Sequence, residues 1–134
     1  PIAVVYNRIP KYVASRSPRT LEWANSHQLS EDIAGEVAKL KEQDGGEIQV
    51  AGSSELIQTL ISNDLVDEFH LIVFPSIVGS GKRLFGDGAI PRALSLKSTA
   101  TTTTGVVIQV YERIGDLKTA EFGPAIVDAY RSTS

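Results

Sequence analysis

The chain contains no cysteine and only two histidines. That excludes a disulfide frame and thiolate chemistry, and any zinc site would have to be built from histidine and carboxylate alone. His27 and His70 lie far apart in sequence and belong to no cluster with ligand spacing, so no metal is expected. A basic excess is also lacking. Thirteen Lys and Arg against 16 Asp and Glu leave a net charge of −3, without the positive footprint that nucleic acid or an anionic membrane requires. An anionic ligand would need a local site. No apolar run approaches the roughly 20 residues of a membrane span, and no basic start leads into an apolar stretch as in a signal peptide. A cytoplasmic location, with neither nucleic acid nor membrane as partner, fits these absences.

What remains is an ordinary globular composition. Hydrophobic residues make up 42% and charged residues 22% of 134, enough to bury a core without staples and too balanced for disorder. The whole chain, 1–134, reads as a single domain with a C-terminal tail from 113 to 134. There is no internal repeat.

Pro1 to Asn7 is apolar and suits either a strand or a frayed helix, closed by Pro10. Lys11 to Ser15 reads as a short strand, and Leu21 to Leu29 as another extended piece around Trp23, whose ring is expected in the core. Ser30 is the expected cap of a helix with Glu31 and Asp32 at its start, Ile33, Ala34, Val37 and Leu40 on its apolar face, and Gly45-Gly46 beyond its end. Glu47 to Ala51 reads as a buried strand. A second helix follows with Leu56, Ile57, Leu60 and Ile61 at helical spacing, stopping at Asn63. Val66 to Phe74, nearly continuous in apolar residues, is expected to be a central strand buried on both faces. Pro75 opens a long loop through Gly79-Ser80-Gly81 to Gly88. Leu94–Thr103 and Val106–Arg113 read as two strands joined near Thr104-Gly105. Pro124 suits the start of a short helix through Tyr130.

The junction at Gly52-Ser53-Ser54 is chemically the most informative. In an α/β chain the turn from strand to helix leaves N–H groups unpaired, and the helix dipole adds roughly half a positive charge there. Phosphates bind at such places. The same residues also suit a plain helix start, with Gly52 as N-cap and Glu55 reaching back to it. Asp67 and Glu68 are strand neighbours that point to opposite faces, so they cannot act as a paired-carboxylate dyad. No residue stands out as a general acid.

Four segments in order carry a family pattern: Lys11-Tyr12-Val13-Ala14-Ser15-Arg16-Ser17, Ile48 to Leu56, Leu65 to Leu71, and Pro75 to Phe85. This series resembles the dihydrofolate-reductase-like family, specifically the reductase domain at the C-terminus of bifunctional riboflavin-biosynthesis deaminase-reductases and its stand-alone relatives, over residues 7 to 113. The resemblance implies an α/β fold with a mixed sheet and flanking helices, NADPH as hydride donor, a small heterocyclic substrate and a homodimer. It maps Ser15 and Arg16 onto the adenosine 2′-phosphate, and Gly52, Ser53, Ser54, Glu55 and Leu56 onto the diphosphate. A guanidinium with a serine hydroxyl suits a phosphate dianion and would favour NADPH over NADH, although Arg16 alone also reads as a solvated strand-end charge. Lys82 and Arg83, after the glycine-rich loop, become weaker candidates for a ribityl phosphate of the substrate.

Two departures qualify the match. Ser53 stands where the family commonly has the second of two glycines, a change that leaves backbone donation intact. The family's opening strand with its Asp-Gly motif, and the Gly-Arg turn after it, have no counterpart ahead of Pro1, so the family domain is expected to be truncated at its N-terminus. An exposed sheet edge would follow, with Phe122, Ile126, Val127 and Tyr130 as candidate cover. A catalytically inactive nucleotide-binding or dimerisation remnant is the alternative reading.

Overall fold

A computed structural model describes residues 2–87 and 89–117. The expected helix from Pro124 and the proposed cover by Phe122, Ile126, Val127 and Tyr130 lie outside the described residues. The elements run α1 (Ile2–Arg8), β1 (Lys11–Val13), β2 (Ser26–Gln28), α2 (Ile33–Lys41), α3 (Ser54–Ser62), β3 (Glu68–Val73), β4 (Arg92–Thr101) and β5 (Val107–Asp116). The fold is mixed α/β, with one parallel and one antiparallel sheet. Two compact units divide the chain: residues 1–66 with 78–90, and residues 67–77 with 91–134.

In the first unit the opening segment resolves as helix. Pro10 disfavours helical geometry at Ile9 and supplies no N–H, and Lys11 covers the freed carbonyls, its Nζ donating to Tyr6 O at 2.7 Å and Ile9 O at 3.0 Å. β1 and β2 pair in parallel, Tyr12 opposite His27, across a crossover of about a dozen residues, near the shortest that parallel strands allow. Trp23 sits on this crossover and is 54% exposed. Its ring is not in the core as expected: Nε1 donates to Asn7 Oδ1 at 2.6 Å, and Lys11 Nζ stands 4.9 Å from the ring centre. A polar partner at one edge and a cation over one face make the rim of the unit favourable for an indole.

α2 starts two residues later than the sequence suggests. Asp32, not Ser30, is the N-cap, its carboxylate accepting from Gly35 N at 3.0 Å, while Ser30 N donates to Glu36 Oε2 at 3.0 Å. A carboxylate at the cap combines the hydrogen bond with the dipole, which a serine hydroxyl cannot. The helix ends at Lys41, ahead of Gly45-Gly46. α3 buries Leu60 and Ile61, which with Leu29 form the buried core among the described residues. It closes with Leu65 N donating to Leu60 O at 2.9 Å and Asp64 N to Ile61 O at 3.0 Å, Asp64 being left-handed at φ 57°. That is a Schellman closure.

The expected strand at Glu47–Ala51 does not form. Its β-branched residues favour extension, but no strand among the described residues pairs with it, and Ile48 and Val50 stay exposed. β-propensity is realised only against a partner.

The second unit is a three-stranded antiparallel sheet in the order β3-β5-β4. Among the described residues β3 is therefore an edge, not a central strand, and Ile72, Val73 and the following Phe74 are exposed. Its apolar run reflects two half-covered faces rather than two buried ones. The β4–β5 hairpin closes where Thr102 N donates to Val106 O at 2.9 Å and Gly105 N to Thr102 O at 3.0 Å. Gly105 supplies the positive φ of 84° that this turn needs.

Candidate functional site

The two candidate phosphate-binding segments meet within the first unit. Arg16, three residues beyond β1, places Nη2 2.9 Å from Glu55 Oε2 in the first turn of α3, across 39 positions of sequence. Both side chains are exposed, at 93% and 70%, so the pair is worth at most about 1 kcal/mol of stability. Its significance is positional. Ser15 stands beside it, Oγ donating to Ser17 O at 2.8 Å and accepting from Ser17 N at 3.3 Å and Arg19 Nε at 3.4 Å. A second guanidinium thus stands at the same strand end.

The helix start is open. Gly52 and Ser53 both take positive φ, 73° and 59°, and Ser53, the N-cap, makes no side-chain capping bond. A Cβ built at Gly52 meets nothing within 4 Å, so it is the conformation, not crowding, that calls for glycine there. The alternative in which Glu55 reaches back to cap the turn is not what forms: its carboxylate pairs with Arg16. The first-turn N–H groups of Ser54, Glu55 and Leu56 precede the intrahelical ladder. Backbone donors, a helix dipole and the Arg16 guanidinium therefore cluster at one place, with Glu55 as the opposing charge.

Lys82 and Arg83 lie on a loop that α3 holds. Gln58 Nε2 donates to Leu84 O and, at 3.4 Å, to Arg83 O, while its Oε1 accepts from Gly86 N at 3.1 Å. Gln58 was invisible to sequence reasoning. A glutamine on the polar side of an amphipathic helix has no distinguishing signal until the loop it grips is known. Arg19 was missed for a similar reason, its contact with Ser15 depending on the turn between them.

Asp67 and Glu68 take separate partners in the second unit, as strand neighbours should. Arg113 Nη2 lies 3.2 Å from Asp67 Oδ1. Glu68 binds Lys97 Nζ through one oxygen and His70 Nε2 at 2.6 Å through the other, and these bonds, Lys97 first, hold its carboxyl below the usual glutamate range. Lys97 is the extra residue of a bulge between Leu96 and Ser98. His27 lies in the other unit, 3.4 Å from Asn25 Oδ1. No group of three or more His, Asp or Glu among the described residues could hold a metal ion. No helix among them is long and apolar enough to cross a membrane. A groove of about 370 Å³ beside Tyr12, His27, Glu36 and Lys39 contains none of the expected cofactor residues.

Comparison with known proteins adds the lineage. Residues 4–108 match the RibD C-terminal domain family. The uncharacterized protein YyaP of Bacillus subtilis (strain 168) is 39% identical over 101 residues, covering 75% of this chain and 53% of that protein. YwjB of the same organism, also uncharacterized, is 33% identical over 88 residues, covering 66% and 51%. The chain thus spans about half the length of the curated relatives it matches. Among solved structures, a putative riboflavin biosynthesis protein from Shewanella sp. PV-4 superposes with a TM-score of 0.68 at 18% identity, covering 84% of this chain and 68% of that one. A pyrimidine reductase-like protein from Corynebacterium diphtheriae gives a TM-score of 0.55 at 18% identity, covering 78% and 50%. At that identity the likeness is one of fold.

Proposed function

The chain belongs to the RibD C-terminal domain family, and from that premise we propose that it binds NADPH and serves hydride transfer to a small heterocyclic substrate. NADPH, when bound, supplies the hydride. The chain's own residues supply position and charge. Ser54, Glu55 and Leu56 offer N–H groups to the diphosphate, and the open turn at Gly52-Ser53 lets the backbone approach it. Arg16, with Ser15 beside it, offers a planar fork of donors to the 2′-phosphate that distinguishes NADPH from NADH. Lys82 and Arg83 would meet a phosphate on the substrate.

The observation that carries the reading is the Arg16–Glu55 contact, because it joins strand end and helix start into one seat. In the free protein Glu55 occupies the guanidinium, and the incoming phosphate replaces it. The proposal includes a homodimer in the cytoplasm, for which the exposed Ile72, Val73 and Phe74 on the second unit offer apolar surface.

Titrating the chain with NADPH and with NADH by nucleotide fluorescence tests the reading. Saturable binding with a clear preference for NADPH is expected; equal or absent binding would refute the cofactor assignment. Binding without oxidation of NADPH in the presence of a pyrimidine or pterin acceptor would favour a nucleotide-binding remnant.

A further inference from the structure

We propose that Gln58 is a positioning residue, tying the loop that carries Lys82 and Arg83 to the body of α3 so that the helix bearing the cofactor seat also sets where those two cations stand. The inference rests on the reading above for the roles of the seat and the cations, but its geometry is independent of it. Gln58 lies four residues after Ser54, one turn into the helix. Its amide is used at both ends, the nitrogen on the carbonyls of Arg83 and Leu84 and the oxygen on the N–H of Gly86. A primary amide is the side-chain group that can donate and accept in this way with the reach of a glutamine. Three positions of the loop, Arg83, Leu84 and Gly86, are thereby held by one side chain.

Gly86 completes the fit. A Cβ built there stands 3.1 Å from Gln58 Oε1 and 3.5 Å from its Cδ, so even alanine would press on the amide that accepts its N–H. The φ of Gly86 is not among the positive values. What disfavours a side chain at this position is therefore contact with Gln58, not backbone conformation. Without the clamp, the run from Ile77 to Lys82, exposed throughout, leads into Arg83 with its backbone ties to Gln58 lost. A phosphate contact made by two long side chains loses affinity when their backbone is free, because the ordering cost then falls on binding.

The test compares the full chain with Gln58→Leu, Gln58→Glu and Gly86→Ala. Amide hydrogen exchange is read over residues 83–87 and, as an internal standard, over 57–62 of α3. Affinities for NADPH and for ribose 5-phosphate, a probe for the Lys82–Arg83 end, are measured alongside. Gln58→Leu is expected to raise exchange at 83–87 about tenfold while α3 keeps its protection, to weaken ribose 5-phosphate about tenfold, and to leave NADPH within about twofold. Gln58→Glu keeps acceptance from Gly86 but sets an acceptor oxygen against the Arg83 and Leu84 carbonyls, so it should release the loop as Gln58→Leu does. Gly86→Ala should follow Gln58→Leu in direction with both partners otherwise present. A variant whose loop exchanges as in the wild type, or in which both affinities fall together with α3 protection, would overturn the role of Gln58. If the wild type binds neither probe while Gln58→Leu still releases the loop, the positioning stands and the cofactor and substrate reading falls.

Discussion

Arg16 and Glu55 place opposite demands on a phosphate. The guanidinium attracts it, and the carboxylate 2.9 Å away competes for the same donors. Charge-assisted bonds to a buried or partly buried anion are worth about 1.5–3 kcal/mol each, so Arg16→Ala should weaken NADPH roughly ten- to hundredfold and NADH far less. Glu55→Gln should act in reverse: losing a like charge beside the phosphate is expected to tighten NADPH about two- to fivefold. The same change removes an acid from the first turn of α3 and should cost about 0.3–1 kcal/mol of folding stability. Affinity and stability moving in opposite directions, read by titration and denaturant melts on one variant, would distinguish this seat from a plain surface ion pair. The types of both residues were legible in the sequence. Their contact was not, because a side chain after β1 and another in α3 are joined only by the fold.

At the scale of single elements, the start of α2 sets two effects of similar size against each other. Asp32→Ala should cost about 1 kcal/mol by removing the N-cap bond to Gly35. Gly35→Ala should gain about 1 kcal/mol in helix propensity, but its Cβ would stand 2.1 Å from Asp32 Oδ2 and push the cap away, so the net change should be near zero. In the Asp32→Ala background the gain should reappear, and a double-mutant cycle by urea unfolding measures it. In the sheet, Glu68 links β3 to Lys97 of β4. Its carboxyl is held below the usual range in the folded state, so its contribution is present above the ordinary glutamate value and is lost as pH falls through the lowered one. Melts from neutral pH down to about 3 should show the difference between wild type and Glu68→Gln shrinking with acidification. The hairpin, α2, α3 and the separation of Asp67 from Glu68 could be read from periodicity and turn residues, whereas the opening segment suited strand and helix alike. The strand at Glu47–Ala51 could not, because a β-branched run declares extension while pairing depends on a neighbour elsewhere in the chain.

For the molecule as a whole, four ordered motifs identified the lineage that the family match over residues 4–108 then showed. Order across some 75 residues of sequence is a stronger signal than any single glycine turn, since independent chance matches rarely keep sequence. The edge position of β3 among the described strands escaped the sequence, because an apolar, β-branched run declares extension without saying which strands pair with it. Ligand linkage tests function at this scale. NADPH at about a hundred times its dissociation constant should stabilise the chain by about 2.7 kcal/mol, a rise of several degrees in the unfolding temperature that NADH at the same concentration should not match.

The central claim is that strand end and helix start form one cofactor seat, and backbone-amide NMR during an NADPH titration addresses it most directly. Saturable shifts at Ser15, Arg16 and Gly52 through Leu56, all following one dissociation constant and reduced with NADH, are the expected result. Shifts confined to other residues, or none at the α3 start while Arg16 alone responds, would contradict it.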